Sequence, residues 1–128
     1  MAHATIRTVT ALARLAALSA KLEADLAVLS AVRAEGDALA DELEATGVDA
    51  AADGALRWRI AVVRAVIAAP PDGDAVRELY SELVDRYRSQ PARLALLRPV
   101  GDEIRRLEAA GTLARAMVVR SDRRPPRS

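Results

Sequence analysis

Apolar residues return every three or four positions from Leu12 to Leu43, a rhythm that predicts one long helix over residues 5 to 46, stopped by Gly47. With Leu15 as heptad position a, the a set is Leu15, Leu22, Leu29, Gly36 and Leu43, and the d set is Leu18, Asp25, Val32, Leu39 and Thr46. Leu12 and Leu26 widen the stripe, while Asp25 and Gly36 weaken it. Arg7, Arg14, Lys21, Val28, Glu35 and Glu42 all occupy position g. Bases near the start and acids near the end oppose the macrodipole of the helix that carries them, so the order calls for a neighbour.

An antiparallel neighbour satisfies it. Arg7 meets Glu42 and Arg14 meets Glu35, pairs whose numbers sum to 49, while Leu15 meets Val32 and Leu18 meets Leu29, pairs summing to 47. Charge and apolar layering therefore agree on one two-fold axis near residues 23 to 25. This register predicts an antiparallel homodimer whose interface is Arg7, Leu15, Leu18, Leu22, Leu29, Val32, Glu35, Leu39 and Glu42. In the alternative, the same stripe packs on later helices of its own chain. Exposed ion pairs contribute about 0 to 1 kcal/mol each, so leucine burial supplies affinity and charge selects orientation.

Residues 48 to 54, with two Asp and Gly54, read as a connector. Leu56, Ile60, Val63 and Ile67 recur at helical spacing, and Trp58, Val62 and Val66 extend the apolar surface, so this helix is expected to be nearly enclosed. Pro70, Pro71, Asp72 and Gly73 form a turn, with Asp74 as N-cap. Val76, Leu79, Tyr80, Leu83, Val84 and Tyr87 mark one face of a third helix. Pro91 suits the first position of a short helix ending at Leu97, and Pro99 is expected to restart a second one, residues 100 to 110, closed by Gly111. Residues 112 to 120 fit a strand or another helical turn or two.

The chain is thus expected to be mainly α: a long coiled-coil-like helix over residues 1 to 47, a connector over 48 to 54, a compact helical unit over 55 to 120 and a basic tail over 121 to 128. Its 128 residues suffice for one core, or a small core plus an oligomerising helix. With Trp58, Tyr80 and Tyr87 the only aromatic residues, that core is built from Ala, Leu, Val and Ile.

Composition narrows the chemistry. The absence of Cys excludes disulfides, thiolate metal sites and cysteine nucleophiles. His3 is the only histidine, and no Ser or Asp is placed to work with it. Glu78, Glu82 and Asp85 share a helix face without the accompanying Glu-x-x-His spacing of a carboxylate-bridged metal pair. There is no glycine-rich phosphate loop. The expectation is a non-enzyme without cofactor or metal. The first 22 residues loosely imitate a targeting segment, but Arg14 interrupts any apolar run and the helical rhythm continues past it, so a cytoplasmic protein without membrane association is expected. The net charge of +1 hides segregation: residues 1 to 85 carry −6 and residues 86 to 128 carry +7.

The order of a buried helix, an amphipathic helix, a helix restarting at Arg98-Pro99, and Leu107-Glu108-Ala109-Ala110-Gly111 leading to Met117-Val118-Val119-Arg120 resembles a winged helix-turn-helix DNA-binding domain, over about residues 55 to 124. The resemblance implies a recognition helix over 100 to 110, a short C-terminal β element, and DNA contacts from Arg98, Arg105, Arg106, Arg120, Arg123 and Arg124. Asp102 and Glu103 depart from it, since acids repel phosphates. Two functions follow as expectations: a dimeric, regulator-like DNA-binding protein, or a structural or adaptor subunit joined through helix packing and an Arg-rich tail that meets an acidic protein surface.

Overall fold

The computed structural model describes residues 6 to 69 and 72 to 113. These residues are mainly α, with no strand among them. The helices are α1 (Ile6–Ala24), α2 (Leu29–Ala45), α3 (Asp49–Ala68), α4 (Gly73–Arg86) and α5 (Pro91–Ala109), with a short 3-10 turn, Leu26–Val28, between α1 and α2. The chain divides into two compact units, Met1–Ala65 and Val66–Ser128, with the boundary inside α3 rather than in the expected connector.

The expected single helix over residues 5 to 46 is instead a helical hairpin. Asp25 takes an extended conformation and its carboxylate accepts a hydrogen bond from the Ala27 amide at 3.0 Å, capping the 3-10 turn. Aspartate stabilises such a break because its side chain competes with the helical backbone for amide donors. The chain reverses there, and α1 lies against α2. Thr8, Ala11, Leu15, Leu18 and Leu22 of α1 are buried, as are Val32, Gly36, Ala40 and Leu43 of α2. The acid and base partners expected from two copies therefore come from one chain. Each fully buried leucine contributes about 1.5 to 3 kcal/mol, far more than the ion pairs along its edge.

Gly47, at a φ of 75°, ends α2 in a left-handed conformation that a side chain would strain. The stretch expected as a connector is then helical from Asp49. Asp49 sits in the first turn, where the helix dipole favours an acid, and Ala51 and Ala55 are fully enclosed. Trp58, Val62 and Val63 follow, all essentially inaccessible, in accord with the enclosed helix expected there.

In the second unit Asp72, not Asp74, caps α4, accepting from the Asp74 amide at 2.9 Å. Pro91 begins α5 as expected, but Pro99 does not restart it: α5 is continuous from Pro91 to Ala109. Proline deletes one amide donor, and both Pro99 and Ala95, whose carbonyl loses that partner, are exposed, so water can satisfy the orphaned oxygen. Val76, Leu83 and Tyr87 of the α4 segment are buried, as are Leu97, Val100 and Ile104 of α5. At the end of α5 the Thr112 amide donates to the Leu107 carbonyl and the Gly111 amide to that of Glu108, the paired bonds of a glycine-terminated helix. The strand-or-helix alternative for residues 112 to 120, the short β element and the tail lie almost wholly outside the described residues.

Candidate interaction groove

Three functional features were read from the chain, and the structure places them in different surroundings. Along the hairpin edge Arg7 Nε donates to Glu42 at 2.9 Å, and Arg14 pairs with Glu35. Arg7 thereby lies beside the C-terminal pole of α2 and Glu42 beside the N-terminal pole of α1, which offsets the unfavourable placement of each within its own helix. Leu15, Leu18, Leu22 and Val32 are buried as the seam requires, whereas Leu29 and Leu39 are half-buried.

Between Glu35 and Asp53 the chain carries only acidic charges, and part of that run is engaged within the chain. Asp37 accepts from the indole of Trp58 at 2.9 Å and pairs with Arg33 at 3.5 Å. Arg59, buried at 8% exposure, reaches both Asp41 and Glu44. Asp37, Asp41 and Glu44 thus anchor α3 to α2, while Asp41, Glu42, Asp49 and Asp53 keep exposed surface. Nothing in the spacing of the sequence paired Trp58 and Arg59 with particular acids. Gly36 completes the contact: the indole of Trp58 occupies the space where a Cβ would stand.

Among the residues expected to contact DNA, Arg98, Arg105 and Arg106 are exposed on α5, and Arg105 is paired with Asp102 one turn away. Arg77 links α4 to α5 through Glu108. Arg120, Arg123 and Arg124 lie outside the described residues, as does His3.

The feature that sequence reading missed is a groove between α1 and α3, within the first unit, of about 660 Å³. Its α1 wall is Leu12, Leu15, Ala16, Ser19 and Glu23, and its α3 wall includes Asp53, Arg57, Ile60, Ala61 and Arg64. The spacings of three, four and seven put each set on one helix face. Gly54 leaves room for the Leu12 side chain against the α3 backbone at one end of the groove. Its floor is aliphatic, its lip carries small residues at Ala16 and Ala61, and Glu23, Arg57 and Arg64 are exposed at its margins.

That composition suits an apolar ridge with charges beside it and holds no catalytic constellation. Among the described residues there is no cluster of three His, Cys, Asp or Glu able to hold a metal ion. No helix among them is long and apolar enough to cross a membrane. Compared with known protein families, curated proteins and solved structures, the chain finds no match.

Proposed function

We propose that this protein is a non-enzymatic adaptor subunit that takes an amphipathic helix of an assembly partner into the groove between α1 and α3. The observation that carries the reading is the groove itself: an aliphatic floor of Leu12, Leu15 and Ile60, small residues at the lip, and Arg57 and Arg64 seven residues apart on one wall. Two arginines at that spacing match acids two turns apart on an incoming helix, while its apolar stripe covers the floor. A photo-crosslinking residue at Ser19 or Ala61 of the full chain, expressed in its own cells, is expected to give one discrete adduct that Ile60→Glu abolishes. Adducts no stronger than those from an exposed site such as Glu82 overturn the reading.

A second reading, a regulator-like dimer that binds DNA, is favoured by one feature. The α4 and α5 helices are joined by a tight turn over residues 87 to 90, and α5 presents Arg98, Arg105 and Arg106 on its exposed face. The tail adds Arg120, Arg123 and Arg124. Against it, Asp102 lies on the same face and is paired with Arg105. If these arginines neutralise phosphates, binding to a short duplex falls with salt at a slope of about −0.9 per contact, and alanine replacements at Arg98 and Arg106 each reduce that slope by about one. A salt-independent or absent association ends it.

A further inference from the structure

Most buried positions of the N-terminal hairpin keep one phase across its turn. Residues 8, 11, 15, 18 and 22 before the turn and 32, 36 and 43 after it are buried and belong to a single alternation of three and four that passes through Asp25 and Leu29, while Ala40, also buried, lies one residue off it beside half-buried Leu39. A hairpin does not require this, because its turn can rotate the second helix to any phase. The turn also contains no Gly or Pro from residue 20 to residue 35, and the Asp25 carboxylate caps it at Ala27. The neighbouring residues are good helix formers. The salt bridges Arg7 to Glu42 and Arg14 to Glu35 obey one reflection rule, numbers summing to 49, whose centre coincides with the turn.

We propose that two copies of this chain exchange α1: the turn at residues 25 to 28 straightens, residues 6 to 45 become one helix, and α1 of each copy takes up the place against α2 and α3 that the other copy's α1 has left. Every contact of the closed hairpin is remade with its symmetric equivalent, because the reflection rule is the same whether the partner lies in the same chain or in a second antiparallel one. Leu22 then faces Asp25 across the two-fold axis, the one layer that differs between the forms. The groove becomes composite, with Leu12 and Ala16 from one copy and Ile60 and Ala61 from the other. Closed and exchanged forms share their interfaces, so the short turn and the Asp25 cap set the balance, and concentration shifts it.

The proposal is independent of the adaptor reading, since its test follows chain connectivity and needs no partner. The chain has no Cys, so the full-length double variant Arg7→Cys, Glu42→Cys offers a short bis-maleimide only one pair of thiols per chain. Refolded dilute, it is expected to crosslink within one chain; refolded concentrated, it is expected to give covalent dimers that sediment as dimers. Asp25→Leu in the same background removes the cap, worth about fivefold at each of two hinges, and so raises the dimerisation constant by about 25-fold or more. Four residues of Gly and Ser inserted after Ala27 relax the turn and return the chain to monomer. Crosslinks confined to single chains at every concentration, with the natural turn and with Asp25→Leu alike, overturn the proposal. So does a sedimenting dimer whose crosslinks stay within each chain. If Asp25→Leu does not fold, the natural turn refolded at two concentrations decides alone.

Discussion

Replacing Gly36 by Ala tests the contact that joins α2 to α3. In an isolated helix the change is favourable by about 0.5 to 1 kcal/mol, because alanine loses less backbone entropy than glycine. Here the new Cβ falls on the six-membered ring of Trp58, which is 0% exposed and tethered to Asp37 by its indole N–H. The ring has no solvent to move into. Overpacking of this kind costs about 1 to 3 kcal/mol. Displacing the ring also breaks its hydrogen bond and leaves a buried donor unsatisfied, a further cost of about 1 to 3 kcal/mol. Subtracting the helix gain leaves a net loss of about 1 to 5 kcal/mol, and the mid-range value of about 3 kcal/mol corresponds to a fall in Tm of about 10 °C for a chain of this size. Trp58 is the only tryptophan, so urea unfolding followed by its fluorescence reports this contact directly, and the blue-shifted native emission should move to the red in the variant. The internal control is Gly54→Ala, where the Cβ meets the flexible end of Leu12 at the groove and the expected change lies between zero and a gain of about 1 kcal/mol. Equal stability of Gly36→Ala and the parent refutes the reasoning.

Other outcomes follow from the same structure. Leu22→Ala, at a position 1% exposed, should cost about 2 to 5 kcal/mol in urea unfolding, whereas Arg7→Ala, whose side chain is 84% exposed, should cost less than about 1 kcal/mol; a reversed order would mean that charge, not burial, holds the hairpin. Pro99→Ala should raise stability by about 1 to 3 kcal/mol by restoring an amide donor in mid-helix, and no gain would indicate two helices meeting at that point. Arg59→Ala should destabilise by about 2 to 4 kcal/mol, because Asp41 and Glu44 lose a shared, largely buried cation; Asp41→Asn, at a carboxylate 62% exposed, should cost less than half as much by the same assay.

Much of this protein is written in local patterns. The three-four alternation, the register that sets Arg7 with Glu42 and Arg14 with Glu35, the stops at Gly47 and Gly111 and the start at Pro91 are properties of neighbouring residues, and each stands in the fold where the sequence puts it. Helical periodicity says which residues share a face but not which surface covers it. A side-chain stripe repeats identically along a straight helix and along a folded one, so the reversal at Asp25 depended on whether one capping bond and the closeness of the chain's own α3 outweighed four uninterrupted residues of helix. Pro99 departs from its local signal for a related reason: its cost of about 3 kcal/mol is set against burial of Leu97, Val100 and Ile104 on one continuous face. Tertiary structure alone decided the groove, the Trp58 ring over Gly36 and the Arg59 bridge to Asp41 and Glu44. The Trp58 and Arg59 contacts join residues 15 to 22 positions apart and the groove walls lie farther apart still, and their partners were chosen by three-dimensional fit, to which spacing along a chain is blind.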